Sequence, residues 1–265
     1  KPFFADLFDN IDIQKIEFSS KNTFSFNVNK NLKFNNFKIE SFVDLSQLIF
    51  SQKNLKLKSY LPSFIEEIKL EEHKIVINYN KNEFDIKGNG HILLEDKLDR
   101  ISYQIIKDKT NLSFDSKINL KNNSLIVDFL DYEKKEGLSS LLSIKGNFKK
   151  NNQLRLNLIN LKEKNNEILI KGLDLNKSFK IIDIENFNIN YENNKKIFNT
   201  INLRKDNSNF IIEGESFDAS SMINGVMNND NNSLSIFENL NSKINIRIKK
   251  TYIDEVNFIM TLREA

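Results

Sequence analysis

Phe187-Asn188-Ile189-Asn190-Tyr191 decides the fold, because apolar and polar residues alternate along it without a break. Successive side chains of an extended strand point to opposite faces. A period of two therefore sets Phe187, Ile189 and Tyr191 on one face and Asn188 and Asn190 on the other. The pattern recurs on both sides of this stretch. Phe24, Phe26 and Val28 alternate with Ser25, Asn27 and Asn29, and Leu154, Leu156 and Leu158 alternate with Arg155 and Asn157. Ile244, Ile246 and Ile248 alternate with Asn245, Arg247 and Lys249. Ile75, Ile77 and Tyr79 obey the same rule, as do Leu112 and Phe114, then Ile118 and Leu120. Each run reads as a half-buried strand.

Short polar links separate the runs: Asn122-Asn123, Lys149-Lys150-Asn151-Asn152, Lys164-Asn165-Asn166 and Asn193-Asn194. Asn tolerates the left-handed backbone of tight hairpins, and links this short join antiparallel neighbours. Residues 82–217 thus predict an antiparallel meander of long strands. Residues 83–95 read as one strand with a bulge at Gly88-Asn89-Gly90. Helix signals are few and short: one near Asp44, one over 63–69 after Pro62, and one after Asp218-Ala219-Ser220-Ser221. The last is a cap sequence followed by Met222, Ile223, Val226 and Met227 at helical spacing. Asn228-Asn229-Asp230-Asn231-Asn232-Ser233 reads as a flexible loop. The segment Glu40-Ser41-Phe42-Val43-Asp44-Leu45-Ser46-Gln47-Leu48-Ile49 echoes Glu215-Ser216-Phe217-Asp218-Ala219-Ser220-Ser221-Met222-Ile223 with a one-residue gap. The echo predicts repeat units over about 1–50 and 82–265, with a short helical insert at 62–70, inside one β segment spanning 1–265.

Composition narrows the function classes. Hydrophobic residues make up 39% and charged residues 28%, enough apolar material for a core and too much for a disordered chain. The net charge of +3 comes from 39 basic and 36 acidic residues interspersed along the chain, so no basic block marks a nucleic-acid footprint. The absence of cysteine removes disulfides, thiolate nucleophiles and Cys-based zinc sites. The chain starts at Lys1 and has neither a signal peptide nor an apolar run of the ~18 residues a membrane span needs. It reads as part of a longer protein, with any targeting signal or anchor outside it.

Catalytic material is scarce. His73 and His91 lack the spacing of a metal motif and read as solvated or hydrogen-bonded, isolated from any functional partner. Glu66, Glu67, Glu71 and Glu72 are interleaved with Lys69 and Lys74 and read as a surface cluster. Gly88-Asn89-Gly90 lacks the third glycine and lysine of a phosphate loop. With two His and no Cys, nucleophilic catalysis has almost no raw material. A non-enzymatic protein without cofactors or metals is expected. The long apolar face still needs cover, and the helices are too few to supply it. A sandwich or barrel, or an open groove filled by an apolar ligand, would meet the need.

The segment Gly214-Glu215-Ser216-Phe217-Asp218-Ala219-Ser220-Ser221-Met222-Ile223, a polar loop and the alternating strand pair over 242–262 resemble the AsmA-like superfamily of Gram-negative envelopes, which includes AsmA, TamB and YhdP proteins. The likeness is best over 210–262, weaker over 11–50 and compositional elsewhere. It implies an all-β fold, a long antiparallel meander sheet curled into an open groove. It also implies a periplasmic location, with tethering to the inner membrane through an anchor outside this segment. The implied function is to conduct phospholipid acyl chains between inner and outer membrane. Groove-lining residues would be Phe24, Phe26, Leu154, Leu156, Leu158, Phe187, Ile189, Tyr191, Ile244, Ile246 and Ile248. The alternative is a structural or adhesive β-solenoid or sandwich whose core covers itself.

Overall fold

A computed structural model describes residues 11–52, 57–64, 66–81, 83–148, 153–176, 179–207, 209–227, 243–253 and 260–263. The expected loop over 228–233 and the connection 149–152 lie outside the described residues. Strand dominates, at 73% against 5% helix. One open sheet has fourteen strands in the spatial order β1-β2-β3-β4-β5-β6-β9-β10-β11-β12-β13-β14-β15-β16. In sequence these are β1 (Ile11–Val28), β2 (Phe34–Gln52), β3 (Ile68–Asn80), β4 (Glu83–Leu93), β5 (Leu98–Lys107) and β6 (Leu112–Leu120). Then come β9 (Ser140–Phe148), β10 (Leu154–Glu163), β11 (Asn166–Leu175), β12 (Ile181–Glu192), β13 (Phe198–Asp206), β14 (Asn209–Asp218), β15 (Ile244–Tyr252) and β16 (Met260–Arg263). β7 (Leu125–Val127) and β8 (Tyr132–Lys134) form a separate hairpin.

Neighbours are antiparallel except β14 and β15, which run parallel. Parallel pairing needs a crossover, and helix α1 (Ser220–Met227) lies between the two strands in sequence. The edge strands β1 and β16 do not pair with each other, so the sheet curls without closing. The expected open, curled meander is therefore the fold.

Register gives the sheet one apolar face. A row crosses it through Ile144, Ile159, Ile170, Phe187, Leu203, Ile212 and Ile246, each opposite the next. A second row runs through Ile118, Leu142, Leu161, Ile168, Ile189 and Ile201. The opposite face carries cross-strand charge pairs, such as Asp115–Lys145 and Glu215–Lys249. Pairs this exposed contribute between zero and about 1 kcal/mol each. They keep the convex face soluble, and the apolar face supplies most of the folding energy.

Bulges break the period-two pattern at several places. Across β10, β11 and β12 the inward sequence runs Leu156 then Ile159, Ile170 then Leu173, and Ile184 then Phe187, three residues apart each time. Leu158 therefore stands opposite exposed Lys171 on the polar face, and Ile159 takes the inner position expected of it. Gly172 sits at the shift with φ +63, where a Cβ would strike the Glu185 side chain. An L-residue is strained in that backbone region.

Three local expectations fail. The helix near Asp44 is absent: Asp44 lies inside β2 and pairs with Lys74. A register shift beside Ser46 brings Leu45 and Leu48 to one face, which imitates helical spacing. The two halves of the sequence echo thus differ in structure, one a strand and the other a strand running into α1. The insert at 62–70 is not helical either. A single 3-10 turn at Leu57–Ser59 precedes it, turns follow, and β3 begins at Ile68. The bulge expected at Gly88-Asn89-Gly90 lies across the ladder instead, in β3 between Glu71 and Lys74, where Glu72 has φ 54.

Candidate functional site, a curled apolar face with one pinned end

The strands run between two ends of the sheet, and the two ends differ. At the first end three elements fold over the apolar face: residues 57–64, the β7–β8 hairpin with its 3-10 turn (Asp128–Leu130), and α1. Leu61, Phe64, Leu130 and Tyr132 from these covers join Ile68, Ile92, Leu120, Leu161, Ile189, Tyr191 and Ile248 in one buried cluster. Strands from both halves of the sheet meet in that cluster, which curls the sheet around its covers. A smaller cluster near the second end holds Leu173, Leu175, Ile181, Ile184 and Phe210, with Leu154 and Leu156 beside it.

Buried polar side chains pin each cover. Asp99 accepts the backbone N–H of Lys121 and Asn122, both at 2.9 Å, of Asn123 at 3.2 Å, and the Asn123 amide at 2.7 Å. It thereby holds the start of the β7–β8 excursion. Lys134, fully buried, donates to the carbonyls of Lys121 (3.0 Å) and Asn123 (2.5 Å). Burial pushes its ammonium pKa down, against the pull of Asp99 and Glu163. Glu163 accepts the Tyr132 hydroxyl at 2.8 Å, and the Tyr191 hydroxyl donates to the Leu130 carbonyl. Glu95 caps the 57–64 cover through the Ser63 N–H at 2.9 Å.

Asp218 holds α1, accepting from the Ser220 N–H at 3.0 Å and the Asn193 amide at 2.9 Å. Burial raises the Asp218 pKa, but the Ser220 and Lys195 contacts outweigh it and leave the carboxyl below its ordinary range. The Asp218-capped helix read from the sequence is present.

Between the clusters the apolar face lacks cover. Ile75, Ile77, Ile86, Ile105, Phe114 and Ile144 are half-buried and belong to neither cluster. On β1 and β2 the face is more open still. Ile13, Ile16, Phe18, Phe24, Phe26, Phe34 and Phe37 are all exposed. Phe24 stacks on Phe37, Phe26 meets Phe34 edge-on, and Phe37 leads to Tyr79 and Phe84 in an aromatic ladder.

The residues expected to line a groove therefore separate by position. Phe24 and Phe26 lie on the open part. Leu154, Leu156 and Phe187 flank the second cluster. Ile189, Tyr191, Ile246 and Ile248 lie under the covers, Ile244 is exposed beside buried Phe210, and Leu158 faces outward. The β7–β8 cover escaped the sequence reading, since its strands are three residues long and show too few alternations to mark them.

His73 is the hydrogen-bonded histidine of the two expected readings, and neither solvated nor isolated. It is fully buried on the apolar face, with Nε2 2.9 Å from the His91 carbonyl and Nδ1 3.2 Å from the Tyr103 hydroxyl. A carbonyl only accepts, so Nε2 carries the proton and Nδ1 accepts from Tyr103. Gly88 and Gly90 leave the space that the Tyr103 and His73 rings occupy. Burial holds the His73 pKa below its ordinary 6.5. The unfolded chain then takes up a proton near pH 6.5 that the folded chain refuses, so stability rises with pH in that window. We expect stability to fall below about pH 6.5, by at most ~1.4 kcal/mol per pH unit from this group. His73→Gln should remove that component, read as the urea midpoint at about pH 7.5 and about pH 5.5. An unchanged pH slope in the variant would refute the assignment.

Among the described residues no His/Asp/Glu group is arranged to hold a metal ion, and no helix is long and apolar enough to cross a membrane. The chemistry on display is apolar contact over an extended, curled surface. No protein-family model matches the chain, and neither a curated protein nor a solved structure matches it.

Proposed function

We propose that the protein is a non-enzymatic lipid carrier whose curled apolar face holds phospholipid acyl chains. The observation that carries this reading is the half-buried band of Ile75, Ile77, Ile86, Ile105, Phe114 and Ile144 between two closed clusters. Among the described residues no second sheet lies over it. Acyl chains laid along such a band gain about 0.8 kcal/mol per buried methylene. The band has few polar anchors, so a chain could slide along it. Transfer between the inner and outer membranes of a Gram-negative envelope, in the periplasm, rests on the resemblance to AsmA-like proteins alone.

The test is lipid extraction from the purified protein, read by mass spectrometry. Copurifying phospholipid is expected. Ile144→Asp sets a carboxylate against the acyl path, where desolvation costs several kcal/mol. The variant should stay folded and lose its lipid. Ser102→Asp, exposed on the opposite face, should keep it. The runner-up is a structural or adhesive β-domain whose face covers itself. In that case wild type carries no lipid and Ile144→Asp melts at a much lower temperature.

A further inference from the structure

The uncovered end of the sheet carries two turns built alike. Asn29-Lys30-Asn31-Leu32-Lys33 joins β1 to β2, and the link from β11 to β12 is described at Asn176, Phe179 and Lys180. In each, the Asn side chain accepts the N–H of the closing Lys, at 2.9 Å for Lys33 and 3.0 Å for Lys180. In each, the Asn carbonyl accepts the N–H of the fourth residue, and the Asn N–H returns to the carbonyl of the last. The fourth residue is left-handed both times, with φ 57 at Leu32 and φ 58 at Phe179.

The turn Asn193-Asn194-Lys195-Lys196-Ile197, at the covered end, has the same backbone bonds. Its left-handed residue is Lys196, with φ 64. A left-handed backbone suits Gly or Asn, and a branched or aromatic side chain there is strained. Leu32 is 80% exposed and Phe179 49% exposed, so burial within the fold offsets little of that strain. Each is flanked by lysine, and exposed Lys81 and Lys109 stand in other turns of the same end. Three acidic residues lie nearby, one of them exposed Glu83 at the start of β4, two places from Lys81. Asp108 is engaged by the N–H groups of Thr110 and Asn111, and Asp206 sits at the end of β13.

We propose that this end of the sheet docks onto an anionic lipid surface. Leu32 and Phe179 enter the boundary between headgroups and acyl chains, and Lys30, Lys33 and Lys81 meet the headgroup phosphates. Exposed apolar tips with a basic surround are what such an interface rewards. The covered end, with Lys196 at the equivalent turn position, stays in water. This inference goes beyond the lipid-carrier reading and stands apart from it, since the tips lie outside the half-buried band.

The chain contains no tryptophan, so a single introduced one reports its own surroundings. Leu32→Trp, Phe179→Trp and Lys196→Trp are each mixed with vesicles of phosphatidylcholine carrying about a third phosphatidylglycerol, and with pure phosphatidylcholine vesicles. Emission of Leu32→Trp and Phe179→Trp should shift to the blue on the anionic vesicles, and that of Lys196→Trp should not move. In sedimentation, the Leu32→Ser/Phe179→Ser pair should weaken vesicle binding by about tenfold or more. Lys30→Gln/Lys33→Gln/Lys81→Gln should abolish the preference for anionic vesicles, as raised salt should. Equal shifts at all three probes, or none at Leu32→Trp and Phe179→Trp, overturn the proposal. Loss of copurified lipid with vesicle docking intact would sink the carrier reading and leave this one standing.

Discussion

Replacing Tyr191 with alanine should cost about 4 kcal/mol and release the β7–β8 cover from the sheet. Tyr191 is the largest side chain fully buried in the protein as described, and its ring meets Tyr132 edge-on at 5.4 Å between centroids. Deleting a buried aromatic ring removes its transfer energy and leaves a cavity, together about 3–5 kcal/mol. The hydroxyl also satisfies the Leu130 carbonyl in the turn between β7 and β8. Tyr191→Phe keeps the ring and orphans that carbonyl, so about 1–2 kcal/mol is expected. Denaturant midpoints give the energies. Amide exchange gives the location: residues 121–139 should lose protection in both variants before the central strands do.

Asp99→Ala should be comparably severe, at about 3–5 kcal/mol, for a different reason. It strips one acceptor from three backbone N–H groups and the Asn123 amide at once. Each donor left buried without a partner costs about 1–3 kcal/mol, reduced where water can enter. It also removes the foremost of the carboxylates that oppose the desolvation of the buried Lys134 ammonium. Breaking one side of a buried charge pair is worse than removing both. Asp99→Ala/Lys134→Met should therefore recover part of the loss, a coupling that a double-mutant cycle measures. Additive energies would show that the two groups do not support one another.

The strands could be read from the sequence because a sheet with one wet face imposes period two on nearly every segment. Phe187, Ile189 and Tyr191 do share a face, as do Ile244, Ile246 and Ile248. What could not be read is where the period slips. Leu156 and Ile159, like Leu45 and Leu48, point the same way because the ladder shifts between them, and composition does not mark such a shift. Nor could the covers be read. Leu61, Phe64 and Leu130 sit in irregular segments whose apolar residues have no period to betray their partners. Ile246 shows the consequence for the candidate site. A charge there would meet the covered cluster and unfold the protein whether or not lipid binds, so Ile144 is the informative position.

The order of the meander has a consequence for how such a sheet could change size. From β1 to β6 and from β9 to β14, every strand pairs with its neighbour in sequence, and the β7–β8 hairpin leaves the sheet without disturbing β6 beside β9. Each hairpin is therefore a separable tile. Adding one would widen the curled surface by about 10 Å, two strand spacings, and would break only the one strand pairing it enters. Duplication of a hairpin between β9 and β14 would change the arc while adding to, rather than removing, the side chains that anchor the covers. The width of the trough is thus a quantity that gene duplication can count out in pairs of strands, whereas its length is tied to how far each strand runs between the two ends.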